Sequence, residues 1–172
     1  DKRENMEIID IIRNNAEQSA ELVAEFRVEL KSYKGIIAKP NIKAGWEELM
    51  EYIDSDFPCF AAIQDGEYVG YAVCRVEEPC VWVEAIYTRP KYRNQGIAIA
   101  LLKKAEELAN GYGEETVFNY VHPNNHKMIN FLRHQGYTVI NLIEIRKPFK
   151  EEVLTQKINV GEHIFDYSFD MS

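Results

Sequence analysis

The segment of residues 84–98 combines residue types that could bind an anion. It reads Glu-Ala-Ile-Tyr-Thr-Arg-Pro-Lys-Tyr-Arg-Asn-Gln-Gly-Ile-Ala. A predicted strand ends at Thr88, Pro90 fixes a turn, and a predicted helix follows. The first N–H groups of a helix have no intrahelical acceptor, and the small residues Gly96 and Ala98 would let a phosphate approach them. The pattern indicates either a phosphate site or an ordinary strand-to-helix turn, and it lacks the Gly-Lys-Ser/Thr of a Walker loop.

Acidic residues are distributed unevenly along the chain. The 172 residues include 28 Asp and Glu against 20 Lys and Arg, which gives a formal net charge of -8. This balance argues against nucleic acid and anionic membranes as partners, because both require a basic face. Residues 85–105 nevertheless contain five Lys and Arg and no acid, and residues 116–143 again contain no acid. Either an anionic ligand lies between these two stretches or the gap arises by chance.

The elements that would position this segment form a mixed sheet with helices. Alternation and turn signals predict strands at residues 7–13, 57–64, 68–76, 81–88, 116–121 and 137–145, and two short strands within 154–169. Helical spacing of apolar residues predicts helices at residues 16–32, 45–54, 94–110 and about 123–135. The three consecutive strands at 57–64, 68–76 and 81–88 form an antiparallel meander. The crossover through the third helix makes the strands at 81–88 and 116–121 parallel, so the fold class is α+β.

The three cysteines, Cys59, Cys74 and Cys80, are an odd number at no metal-ligand spacing. We predict that they are small buried hydrophobic residues, with no disulfide scaffold and no metal site. The absence of a disulfide framework favours a reducing, cytoplasmic location. The sequence contains no apolar run of 18 residues, so no membrane span is predicted.

Two landmarks resemble one known family. Residues 87–98 resemble the acetyl-CoA motif of the GNAT superfamily of N-acetyltransferases. The run Val121-His122-Pro123-Asn124-Asn125, followed by Gly136-Tyr137, resembles that family's Asn-to-Gly-Phe helix segment. The element order matches over about residues 7–146. The resemblance implies one acetyltransferase domain over residues 1–172, with a strand-like tail at 147–172.

The resemblance also implies a three-layer arrangement and a cofactor, acetyl-CoA. The central parallel strands would be splayed at their carboxyl ends, with helices flanking a mostly antiparallel sheet. Pantetheine would pair with the first parallel strand, the pyrophosphate would take N–H donors at the start of the third helix, and one Asn would contact the cofactor arm. The cofactor-binding residues expected on this basis are Ile86, Tyr87, Thr88, Arg93, Asn94, Gln95, Gly96, Ile97, Ala98 and Asn125.

Three residues are candidates for moving protons. An alkyl ammonium must lose a proton before it can attack, and Glu84, placed by strand alternation on one face with Trp82 and Ile86, is the candidate base. The alternative for Glu84 is a salt bridge to a basic neighbour. The family often places a Tyr as general acid where this chain has Leu132. Tyr120 and His122 are the remaining candidates, with packing as the alternative for Tyr120 and a surface or capping role for His122.

The activity expected from the resemblance is direct acetyl transfer to an amine, carried either by a small molecule or by a protein or peptide. The alternative is a non-catalytic CoA-binding sensor or regulatory module, which the presence of Leu132 favours.

An acidic row on the first helix is either a solvated surface or a docking face for a basic partner. This row comprises Glu17, Glu21, Glu25 and Glu29. A second acidic run, at residues 47–56, suits a cationic acceptor or is solvated. The apolar tail either adds strands or contacts a second subunit in a homodimer.

Overall fold

Four α-helices and seven β-strands are found in residues 5–167, the part of the chain that the computed structural model describes. The strands are β1 Met6–Asp10, β2 Cys59–Gln64, β3 Glu67–Glu77, β4 Cys80–Thr88, β5 Phe118–Asn119, β6 Gln156–Val160 and β7 His163–Tyr167. The helices are α1 Glu17–Ser32, α2 Ile42–Asp54, α3 Ile97–Gly111 and α4 His126–His134.

The five strands β1 to β5 form one sheet in sequence order. Neighbouring strands from β1 to β4 are antiparallel, whereas β4 and β5 are parallel and are connected through α3. The predicted mixed, mostly antiparallel sheet with one parallel pair is therefore confirmed. In the order of this sheet, the parallel pair lies at one edge.

The two faces of this sheet are covered by different helices. The core on one face combines Leu22 and Phe26 of α1 and Leu49 of α2 with strand residues such as Tyr71. On the opposite face, a Cβ at Gly70 would lie 3.2 Å from the Ile97 side chain of α3. The apolar residues predicted to form one face of α3 are largely buried, namely Ile97, Leu101, Leu102, Ala105 and Ala109.

The described chain divides into two compact units. Residues 5–28 and 39–120 form the unit that contains the five-stranded sheet, and residues 29–38 and 121–167 form the other. In the second unit, β6 and β7 make the predicted tail hairpin, which turns at Gly161 with a φ of +59°. Residues 168 and 169, which the prediction included in the last strand, lie outside the described residues. The expectation of a single domain stays a prediction.

The strand predicted at residues 137–145 is wrong. These residues are not paired with any strand that the structure describes, and Val139 and Ile140 are 87% and 79% exposed. The physical reason is that no described strand lies beside this segment to exchange backbone hydrogen bonds with it, and the residues of the segment alone do not reveal that.

All three cysteines are free, and Cys59 and Cys74 are buried while Cys80 is half-buried. Burial raises the pKa of Cys59 and of Cys74 to about 12. Both thiols therefore stay protonated at neutral pH and act as packing groups. Among residues 5–167, no helix is long and apolar enough to cross a membrane.

The contact between α1 and α2 depends on the absence of a side chain at Gly45. A Cβ there would lie 2.5 Å from the Ala20 carbonyl oxygen and 2.9 Å from the Ala24 nitrogen. We expect Gly45→Ala to lower the free energy of unfolding by about 2 kcal/mol, because both close atoms belong to backbone. Chemical denaturation measures this change.

Gly111 provides the matched control, because it is also helical and a Cβ there would meet nothing within 4 Å. Gly111→Ala should raise stability by about 0.5 kcal/mol through helix propensity. Equal effects of the two substitutions would contradict the proposed backbone contact.

Candidate active site

The carboxyl-terminal half of β4 has one open edge. β4 pairs with β5 only at Trp82–Phe118 and Val83–Asn119. On its other side, β4 continues to pair with β3 as far as Thr88, which is opposite Gly70. Within residues 5–167, no strand pairs with the β5-facing edge of β4 beyond Val83. The strand-type hydrogen bonds that β5 does not make there are ones that an extended ligand could make in its place.

The turn after β4 is shaped by two left-handed residues. Asn94 has a φ of +62° and Gly96 a φ of +84°, and Gly96 is the residue that precedes the first turn of α3. No side chain caps this helix start, and no acidic residue lies in its first turn. The N–H groups at the start of α3 thus remain to bind an anion, with the positive end of the helix dipole behind them.

Side chains around this turn hold its backbone. Arg93 Nε donates to the Thr88 carbonyl oxygen at 2.9 Å, and the Arg93 guanidinium lies 5.7 Å from the centre of the Tyr87 ring. Gln95 Nε2 donates to the Lys91 carbonyl oxygen at 3.4 Å. The hydroxyl of Thr88 is buried and finds no hydrogen-bond partner among residues 5–167. A buried hydroxyl without a partner at the open edge marks a position where a ligand could supply one.

Glu84 lies at a β-bulge. The register between β3 and β4 shifts between Val73 and Cys74, so Val73 is opposite Ala85 and Cys74 is opposite Val83. Glu84 is the extra residue in β4, and the alternation assumed in the sequence analysis does not continue through it. The Glu84 charge also acts on Tyr52, where burial and then nearby carboxylates, Glu48 first, raise the pKa to about 12.

The carboxylate of Glu84 is held by an arginine that sequence reasoning missed. Arg75 Nε donates to Glu84 Oε1 at 2.7 Å, and both side chains are about three-quarters buried. The Arg75 guanidinium also forms an ion pair with Glu77 and lies 4.3 Å from the centre of the Trp82 ring. The salt-bridge alternative is therefore what the geometry shows, and a role for Glu84 as base stays a prediction. Counting the hairpin register back from the turn at Pro79 would have placed Arg75 opposite Trp82.

Tyr120 is brought to the same arginine. Arg75 Nη2 donates to Tyr120 Oη at 3.4 Å, a long hydrogen bond, and Tyr120 is 58% exposed. Arg75 thus connects two of the three residues that the sequence suggested for proton transfer. The exposure of Tyr120 does not favour the packing alternative.

His122 and Asn125 belong to the second unit. His122 Nδ1 accepts a hydrogen bond from the Asn124 backbone N–H at 3.1 Å, and its ring stacks on Tyr33. Burial, and then the charge of Lys34, lower the pKa of His122, so its ring is neutral at pH 7. This geometry matches the capping alternative. Asn125 Oδ1 accepts from the Met128 N–H at 3.2 Å, which makes the buried Asn125 the N-cap of α4.

Leu132, which stands where a Tyr was expected from the resemblance, is the one buried residue of α4. Its side chain is a packing group. The general acid is therefore not supplied from this position.

No group of His, Cys, Asp and Glu side chains within residues 5–167 is arranged to hold a metal ion. The comparison with protein families matches the acetyltransferase (GNAT) family over residues 23–137, more than half of the chain. The chain belongs to the GNAT acetyltransferase family. A comparison with curated protein sequences gives no match.

Solved GNAT structures share the fold at low sequence identity. An aminoglycoside acetyltransferase from an uncultured soil metagenomic sample, in complex with sisomicin, has a TM-score of 0.67 and 16% identity, covering 87% of this chain and 100% of its own. A ribosomal-protein-alanine N-acetyltransferase from Brucella melitensis has a TM-score of 0.65 and 18% identity, covering 84% and 99%. The PaiA N-acetyltransferase from Thermoplasma acidophilum, in complex with coenzyme A, has a TM-score of 0.60 and 21% identity, covering 76% and 87%.

Proposed function

We propose that this GNAT protein is an acetyl-CoA-dependent N-acetyltransferase that transfers the acetyl group directly to an amine. The observation that carries the proposal is the open edge of β4 beyond Val83, which leads to the uncapped start of α3. One continuous path therefore offers strand-type backbone pairing and then an anion site. The parts of acetyl-CoA follow the same order along the molecule, because its extended, amide-bearing arm leads to a pyrophosphate.

The residues of this path fit the cofactor. The backbone of Ile86, Tyr87 and Thr88 would pair with the amides of the arm, and the unpartnered Thr88 hydroxyl lies beside it. The N–H groups from Arg93 to Ala98 would hold the pyrophosphate. Asn125, in the second unit, is proposed from the resemblance alone, and its side-chain nitrogen can donate while its oxygen caps α4. When bound, acetyl-CoA would supply the acetyl group as an activated thioester.

The proposed base is Glu84, which would take the proton of the acceptor's ammonium at its carboxylate. Arg75 limits the carboxylate to one orientation through the 2.7 Å contact, and proton transfer depends strongly on such orientation. The bulge at Glu84 frees local backbone from the ladder. An N–H group there would stabilise the negative charge that develops on the acetyl oxygen.

Tyr120 and His122 remain the proposed proton donors to the leaving thiolate. The Arg75 contact supports Tyr120, because Arg75 Nη2 donates to Tyr120 Oη and leaves the phenol proton available for donation. His122 is neutral at pH 7 and its Nδ1 accepts from Asn124, so its Nε2–H would stabilise the thiolate by a hydrogen bond and not by full proton transfer. Because a thiol is relatively acidic, the CoA thiolate can leave without being fully protonated. Acetyl transfer therefore does not require a strong general acid.

The proposed acceptor is an amine on a small molecule or on a protein or peptide. The solved relatives include enzymes named for aminoglycosides and for a ribosomal-protein alanine, which are amine acceptors. The acidic run at 47–56 is not uniformly solvated, because Glu48 is largely buried and Arg27 lies 3.0 Å from its carboxylate. Burial raises the pKa of Glu48 despite that neighbour. The net charge of -8 supports a partner that is neither nucleic acid nor membrane.

A cytoplasmic location and a homodimer complete the proposal. Three free cysteines support a reducing compartment. In the second unit, Val139, Leu142, Phe149 and Ile164 are exposed apolar side chains of the kind that interfaces cover. The mass in solution, compared with 20.0 kDa for one chain, decides between monomer and dimer.

A non-catalytic CoA sensor is the second candidate, favoured by the buried Leu132 and by the ion-paired state of Glu84. The two functions differ in turnover. Acetyl-CoA should raise the melting temperature in either case. An enzyme should also release free thiol from acetyl-CoA when it is given amines, aminoglycosides or peptides. Stabilisation by acetyl-CoA without thiol release across that panel would favour the sensor, and the absence of stabilisation would reject both.

Removal of the proposed base should change the pH–rate profile. We expect Glu84→Gln to lower kcat by about 100-fold and to remove the acidic limb of the profile, because an amide cannot accept the proton. The affinity for CoA should stay unchanged. Steady-state kinetics across pH and calorimetry measure the two quantities.

Glu77→Gln is the matched control, because Glu77 is the other carboxylate on Arg75 and is mostly exposed. It should leave the profile in place. A Glu84→Gln enzyme with the wild-type pH dependence would remove Glu84 as the base.

The pyrophosphate assignment is tested at Gly96. Gly96 and Gly66 both have a positive φ, +84° and +80°, and a Cβ at either would meet nothing within 4 Å. Alanine should therefore cost about 1 kcal/mol of stability at both positions. Only Gly96→Ala should also weaken CoA binding, by about tenfold, because its methyl group would occupy the phosphate approach. Calorimetric titration with CoA that finds equal affinity in the two variants would overturn the assignment.

A further inference from the structure

Two features of the sequence have no role in the proposed site. The acidic row on α1 has no catalytic residue, and Arg89 lies in the acid-free stretch that is expected to attract an anion. The structure places part of the acidic row against Arg89. Both features therefore belong to one cluster in the sheet-containing unit.

The Arg89 guanidinium makes four contacts within the protein, and all three of its nitrogens take part. Its Nε donates to Glu25 Oε2 at 3.1 Å, and its Nη2 lies 3.1 Å from Glu25 Oε1 and 3.3 Å from Glu21 Oε2. Its Nη1 donates to the Tyr68 carbonyl oxygen at 3.1 Å. The Arg89 backbone N–H also donates to the Val69 carbonyl oxygen at 2.9 Å, one residue beyond the end of β4. Two carboxylates offset the charge of this arginine, so it is not a phosphate ligand.

The same carboxylate reaches a second residue of the strand end. Tyr87 Oη donates to Glu25 Oε2 at 3.2 Å, and the Tyr87 ring stacks on Phe26 at 5.2 Å. Tyr87 and Arg89 therefore both point toward α1. Thr88 lies between them in sequence, and its carbonyl oxygen is held by Arg93. Contacts through Glu25 and through Arg93 together fix the last residues of β4.

We propose that Arg89 is a positioning residue, which fixes the end of β4 to α1 through Glu25 and thereby holds in register the backbone that pairs with the cofactor arm. This inference rests on the proposed function, since it assumes that CoA binds along that edge. Pro90 follows immediately and begins the 3₁₀ turn Pro90–Tyr92 that leads to the anion site. A displaced Arg89 would therefore disturb both the strand edge and the phosphate turn. Charge-assisted hydrogen bonds between half-buried groups are strong enough for this role.

The experiment compares CoA affinity in variants of the two partners. Arg89→Gln and Glu25→Gln should each raise the Kd for CoA, measured by calorimetry, about tenfold, and the double variant should lose no more than either one. The KM for acetyl-CoA should rise by a similar factor while kcat changes less, because Arg89 contacts no reacting atom. Amide hydrogen exchange at residues 86–89 should become faster in both single variants.

Arg13→Gln is the matched control. Arg13 forms an ion pair with Asp54 in the same unit, and both side chains are exposed. It should leave the Kd within about twofold, since exposed pairs contribute little and this one does not touch β4. If Arg89→Gln fails to fold, Tyr87→Phe removes one hydroxyl from the same cluster and should raise the Kd about threefold.

The outcomes separate this inference from the proposed function. Wild-type protein that does not bind CoA would overturn the proposed function and this inference with it. Wild-type binding that is unchanged in the folded Arg89 and Glu25 variants, or in the Tyr87 variant used in their place, would overturn the inference alone. Additive losses in the double variant would also overturn it, because the two residues would then act separately.

Discussion

The proposed site depends on the unequal lengths of the two hydrogen-bond ladders that β4 forms with its neighbouring strands. The antiparallel ladder to β3 continues to Thr88, whereas the parallel ladder to β5 ends at Val83. One side of the strand is therefore held by the sheet, while beyond Val83 the other side has no neighbouring strand among residues 5–167. A loop could offer backbone groups to an extended ligand only after losing conformational entropy on binding. The proposed site would be preorganised, because the ladder to β3 already holds the strand in an extended conformation.

Two arginines organise the residues around this strand, one near each end of it. Arg75 lies beside the bulge and holds Glu84, Glu77 and Tyr120, while Arg89 lies beyond the last residue and holds Glu25 and Glu21. In each case a planar guanidinium with five donors binds several acceptors at once, which a lysine ammonium could not match in geometry. The acidic excess of the chain is thus partly used for internal positioning, and the sum of charges does not reveal this.

Local patterns in the sequence predicted the elements that are set by local physics. The apolar spacing of α3, the turn at Pro90 and the hairpin of β6 and β7 all follow from neighbouring residues. The failures required information from distant residues. The segment at 137–145 has no partner strand within the described residues, and its own sequence cannot indicate whether a partner exists. The bulge at Glu84 depends on how β3 pairs, so strict alternation was a reasonable but incorrect rule. Glu25 and Arg89, which form an ion pair, are 64 residues apart in sequence, and no local sequence pattern predicts their contact.

The open edge of β4 has a consequence for the protein without its ligand. Unpaired backbone at the edge of a sheet is a template on which any other extended chain can add a strand, including a chain of the same protein. A pantetheine arm in that position would serve as a surrogate strand, because it satisfies the same amide and carbonyl groups. The tendency of the protein to associate through this edge would then depend on whether the cofactor is bound. The cofactor would act as a chemical chaperone for the sheet that binds it.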